Sequence, residues 1–103
     1  MYVVAIDASK DDIEATDYKA FESCEEAKNR LYRAWAMILR HKPVFEPHRP
    51  VHLYAARLYE VEATDPRKAI AMVQRGLGTL ILDTDRSDAP VDLEELLPGL
   101  LAD

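Results

Sequence analysis

The segment from Ser23 to Pro43 limits the fold more than any other part of this chain, because it announces a helix twice, in its cap and in its apolar spacing. Ser23-Cys24-Glu25-Glu26 matches the capping box, in which the serine hydroxyl accepts from the Glu26 amide and the Glu26 carboxylate reaches back to the first residue. Glu25 and Glu26 oppose the positive end of the helix dipole, while Arg40, His41 and Lys42 suit its negative end. Pro43 disfavours a helical residue before it, so the helix is expected from Cys24 to about His41.

Cys24, Ala27, Leu31, Ala34 and Ile38 repeat at three and four, which is one core stripe. From Leu31 onward, Tyr32, Trp35, Ala36, Met37 and Leu39 make other faces apolar too. A helix apolar nearly all round is covered on more than one side. One small sheet covers one side, so a second chain or a folded-back tail is expected on another.

The remaining pattern predicts an α+β domain with a small mixed sheet of about four strands in the order ββαβαβ. Tyr2–Ile6 reads as a buried strand, the acidic stretch Asp7–Asp17 as a loop, and Tyr18–Glu22 as a second strand. Lys42–Pro50, with three prolines, reads as an extended loop, followed by a long central strand, Val51–Val61. Thr64-Asp65-Pro66 caps and opens a second, shorter helix that Gly76 or Gly78 ends. Thr79–Leu82 is the last strand, and a right-handed crossover predicts that it lies parallel to the central one. The domain is expected over residues 1–83. Residues 84–103 form an acidic amphipathic tail packing on the domain or on a partner subunit.

At 103 residues the chain fits one domain. Its single cysteine excludes an internal disulfide framework and suits a reducing compartment. The first residues carry no basic leader, and the longest apolar run, Ala34–Leu39, is far short of the ~20 residues of a membrane span. A soluble, cytoplasmic protein without membrane contact is expected. The net charge of −6 is unevenly spread, with −5 over residues 1–29, +5 over residues 30–58 and −6 over residues 79–103.

No catalytic constellation emerges. Cys24 begins the core stripe, beside two glutamates that oppose a thiolate, so it reads as a buried structural residue rather than a nucleophile. His41, His48 and His52 cluster in sequence, but Pro50 prevents a regular helix from presenting the last two to one ion. The acids of Asp7–Asp17 lack the glycine of a calcium loop. Gly76 and Gly78 follow a helix and precede a strand, the reverse of a phosphate-loop context. No metal or cofactor is expected.

Three functional readings follow. The leading one is a non-enzymatic interaction or regulatory protein working as a homodimer. It would associate through Tyr32, Trp35, Met37 and Leu39 or through sheet edges, with Leu93, Leu96 and Leu97 of the tail packed on the domain or its partner. The second is a small anionic ligand, bound with or without catalysis between the long helix and the sheet. Arg33, Trp35, His52, Tyr54 and Arg57 are its candidate lining. Strict alternation puts His52 and Tyr54 on one pleat face and Arg57 on the other, so only part of that set converges. Nucleic-acid binding through the basic middle ranks third, since no recognised motif accompanies the charge.

Overall fold

A computed structural model describes residues 1–10, 13–40, 43–45 and 50–86. Its elements are β1 (Tyr2–Lys10), β2 (Ile13–Phe21), α1 (Cys24–Arg40), β3 (Pro43–Phe45), β4 (Pro50–Glu60), α2 (Pro66–Gln74) and β5 (Thr79–Asp83). The α+β class is as expected. The sheet runs β2-β1-β4, and the far edge of β4 is shared between β3 at its start and β5 at its end.

Two local expectations are corrected. Most of the acidic stretch Asp7–Asp17 is strand, since β1 and β2 pair antiparallel from Tyr2↔Phe21 to Lys10↔Ile13. A polar hairpin arm needs no alternating apolar residues when it lies at a sheet edge, where Ile13–Asp17 is exposed. The proline-rich stretch also holds β3, which pairs with Pro50–His52. Pro43 and Pro50 are tolerated there because these short segments lie at a sheet edge and at a strand start.

The expected parallel pair is also overturned. Every pairing among the described residues is antiparallel, so the sheet is not mixed. A parallel crossover would have to carry the chain back along β4, whose eleven residues span roughly 36 Å. The nine residues of α2 span only about 14 Å. The chain therefore returns to the end it left, with Thr79 opposite Glu60.

The helices start and stop on local signals. The Glu26 amide donates to Ser23 Oγ at 3.3 Å at the head of α1. Asp65 caps α2 by accepting from the Arg67 amide at 2.9 Å, with Pro66 in the first turn. That helix ends where the Leu77 amide reaches Met72 O at 2.9 Å and Gly76 takes φ 78°, a left-handed turn that glycine enters without a side-chain clash.

The two helices lie on opposite faces of the sheet. Ala27, Leu31 and Ala34 of α1 pack on Val4, Ile6, Ala56 and Leu58. Ala69 and Val73 of α2 pack on Val3 and Val61, near the start of β1 and the end of β4. Leu31 and Leu58 are fully buried, and each such side chain contributes roughly 1.5–3 kcal/mol of hydrophobic stabilisation. Because α2 is short, the rest of its sheet face is left for polar side chains.

Candidate functional site

On that face, β4 departs from simple alternation. Asp7 of β1 is opposite Ala55, but the next residue, Ala8, is opposite Leu53, so Tyr54 is the extra residue of a β-bulge. The extra residue resets the faces. His52, opposite Ser9, and Arg57, opposite Ala5, now lie on the same side as Asp7. Strict alternation would have separated them.

Arg57 Nη2 donates to Asp7 Oδ1 at 2.9 Å, and Thr16 Oγ1 donates to the same oxygen at 2.6 Å. Asp83 lies opposite Arg57 in the β4–β5 register. Tyr54 belongs to this group electrically. Partial desolvation raises its phenol above the ordinary value of 10.0, the Glu14 and Asp7 carboxylates add to the rise, and Arg57 opposes it. Arg57 is thus already paired with Asp7, and the Glu14 carboxylate adds negative charge near Tyr54.

Cations gather on the other face. Glu26, Asn29, Arg30 and Arg33 recur at three and four along α1, forming one stripe on the helix. The stripe meets Lys19 and Phe21 of β2 across an open concavity of about 290 Å³. Lys19 Nζ stands 5.5 Å from the centre of the Phe21 ring, within range of a cation–π attraction. Arg30 Nη2 is 3.8 Å from Asp17 Oδ2, an exposed pair too long for a hydrogen bond. A second concavity, of about 230 Å³, is lined among the described residues by Glu60, Glu62, Val61, Met72, Leu77 and Thr79, none of them a cation.

The residues singled out in the sequence are thus distributed. Arg33 lines the cationic groove, whereas His52, Tyr54 and Arg57 lie across the sheet from it. Trp35 is 3% exposed and stacks on Tyr32 with ring centres 6.5 Å apart, so it lines neither surface. The space directly between α1 and the sheet is filled by Ala27, Leu31, Ala34, Ala56 and Leu58. Lys19, Phe21 and Asn29 are not among the residues that the sequence singles out for a ligand, and Arg30 enters only as part of the basic middle, residues 30–58. The helical stripe is visible in the spacing of residues 26, 29, 30 and 33, but its meeting with β2 is not.

On the apolar half of α1, Ala36 is as buried as Trp35 within the single chain, while Tyr32 and Met37 are half-buried and Leu39 is exposed. More apolar surface is open elsewhere. Leu77, Leu80 and Ile81 are 63%, 40% and 39% exposed at and just before β5. Ile81 is the bulged residue of that strand, since Leu82 is opposite Leu58 and Leu80 is opposite Tyr59. Leu93, Leu96, Leu97, His41 and His48 lie outside the described residues. Among the described residues no three of His, Cys, Asp or Glu gather to hold a metal ion. No described helix is long and apolar enough to cross a membrane.

Comparison with protein-family models, with curated proteins and with solved structures finds no match to this chain.

Proposed function

We propose that the chain is a non-enzymatic interaction or regulatory protein that works as a homodimer joined along β5. The observation that carries this reading is the exposure of Leu80 and Ile81 on β5, with Leu77 just before it, on a strand whose only partner among the described residues is β4. Edge strands are ordinarily blunted by charge or proline. β2, the opposite edge, carries Glu14, Asp17 and Lys19 along its length. In β5, Thr79-Leu80-Ile81-Leu82 has neither charge nor proline before Asp83, and its edge is interrupted by the bulge at Ile81.

A second copy suits this edge because the strand is self-complementary. Antiparallel pairing about a two-fold axis near Ile81 keeps Asp83, the one charged residue of β5, away from its counterpart in the other copy, so no like charges are directly opposed. The sequence-based alternative, association through Tyr32, Trp35, Met37 and Leu39, has less open surface to offer, since Trp35 is already buried. The half-buried Cys24 has no disulfide partner, which supports a reducing, cytoplasmic setting.

Native mass spectrometry of the full chain tests the reading. A dimer is expected for the parent protein, and a monomer of unchanged secondary structure for Ile81→Lys. A strictly monomeric parent at micromolar concentration would sink the proposal.

A further inference from the structure

We infer that the groove between α1 and β2 is a binding site for a small polyhydroxylated phosphate ester, held by Arg30, Arg33 and Lys19, with Asn29 and Glu26 reading its hydroxyls. This inference does not depend on the oligomeric state.

The first support is the concentration of charge. The chain carries a net charge of −6, yet among the described residues three cations face one concavity against the single carboxylate of Glu26. Like charges brought together repel, and the local structure does little to neutralise them. Asp17 reaches Arg30 only at 3.8 Å and is itself exposed. Arg33 has no ion-pair partner among the described residues, and Lys19 contacts the face of a phenyl ring. Most of the guanidinium hydrogens are thus available for an oxyanion, which arginine binds through two parallel hydrogen bonds.

The second support is the variety of the lining. Three cations alone would suit any anion. Asn29 adds both a donor and an acceptor, and Glu26 adds an acceptor that repels a bare phosphate but receives hydrogen bonds from hydroxyls. A ligand carrying both an oxyanion and hydroxyl groups satisfies the whole set. Lys19 occupies the neighbourhood of the Phe21 ring, which argues against a base stacked there.

Size narrows the class. At about 290 Å³ the groove lies just under the range of roughly 300–1,000 Å³ usual for small-molecule sites. That suits a phosphorylated triose, pentose or hexose and is small for a dinucleotide.

The test is calorimetric titration of the full chain, at low ionic strength, with glycerol phosphate, ribose phosphate and glucose phosphate. Inorganic phosphate, sulfate and unphosphorylated glucose are the comparison ligands. At least one sugar phosphate should bind saturably and about tenfold more tightly than inorganic phosphate, with affinity falling as salt is added. Arg33→Gln should weaken that binding by about tenfold, whereas Arg67→Gln on α2 should leave it unchanged. Arg33 is exposed, so its replacement is expected to leave the circular dichroism spectrum unaltered. The Asn29 side-chain amide should shift in NMR spectra on titration. The inference is overturned if no phosphate ester binds saturably, or if Arg33→Gln binds as the parent does. Sulfate and inorganic phosphate matching every ester would overturn the ligand class. So would a short single-stranded oligonucleotide that outcompetes them, in favour of nucleic acid.

Discussion

Arg57 and Asp7, fifty positions apart, are joined at 2.9 Å across the β4–β1 boundary, and Thr16 from β2 completes the link at the same carboxylate oxygen. Three strands are thereby cross-linked on a face that α2 leaves uncovered. The arrangement is imperfect, because Arg57 Nε is buried without a hydrogen-bond partner among the described residues. An unmet buried donor costs about 1–3 kcal/mol, which offsets much of what the ion pair contributes.

That imbalance predicts an order of stabilities. Asp7→Ala leaves the half-buried guanidinium without its anion and should destabilise the fold by about 1–3 kcal/mol. Arg57→Met, which removes the orphaned Nε while keeping an apolar stem, should cost less than Arg57→Ala. Urea unfolding of the three variants gives the comparison. An Asp7→Ala variant as stable as the parent would show that the pair is energetically idle.

Stability should also fall at alkaline pH. The Tyr2 phenol is raised above 10.0, first by its hydrogen bond to Glu60 and then by that carboxylate's charge. Tyr54 is raised first by partial burial and then by Glu14 and Asp7. Both groups hold their protons more tightly in the folded chain than in the unfolded one. Their contribution is therefore fully present below 10.0 and is lost as pH rises through the folded values. The double variant Tyr2→Phe, Tyr54→Phe should show a flatter decline in denaturant midpoint over that range. An identical slope in parent and variant would contradict the assignment.

The two glycines after α2 should fail for different reasons when changed to alanine. At Gly76, φ is 78° and no atom of the described residues lies within 4 Å of an added Cβ, so the cost is backbone strain of roughly 1–2 kcal/mol. Gly76→Asn should restore part of it, since asparagine tolerates that conformation. At Gly78 the added carbon would meet Val61 Cγ1 at 3.0 Å, Val73 Cγ2 at 3.2 Å and Tyr59 Cβ at 3.3 Å. Overpacking of this kind costs about 1–3 kcal/mol, and asparagine there should be worse still. Thermal unfolding separates the cases by whether asparagine rescues or aggravates.

Leucine-to-alanine substitutions should divide by burial. Leu31→Ala and Leu58→Ala open a cavity between α1 and the sheet and should each cost about 2–5 kcal/mol. Leu77→Ala, at a 63% exposed position, should stay within about 0.5 kcal/mol of the parent. A large loss at Leu77 in the dilute monomer would mean that the exposed position contributes to the fold itself.

The sequence by itself determined the elements that rest on neighbouring residues. The Ser23 cap, the three-and-four stripe of α1, the Asp65-Pro66 start of α2 and the apolar runs of β1, β4 and β5 were all legible. Each is stabilised by groups within a few positions, so its signal is local. The polar arms of β1 and β2 were not legible, because an exposed edge hairpin needs no apolar pattern. Nor was the direction of β5, which follows from α2 being too short to span β4. Only the tertiary structure put His52, Tyr54 and Arg57 on one side, since the bulge at Tyr54 is visible only in the pairing with β1. Only the tertiary structure set Lys19 and Phe21 against the Glu26, Asn29, Arg30 and Arg33 stripe. Periodicity determines which side chains share a face of one element; which faces meet depends on the packing of the whole chain.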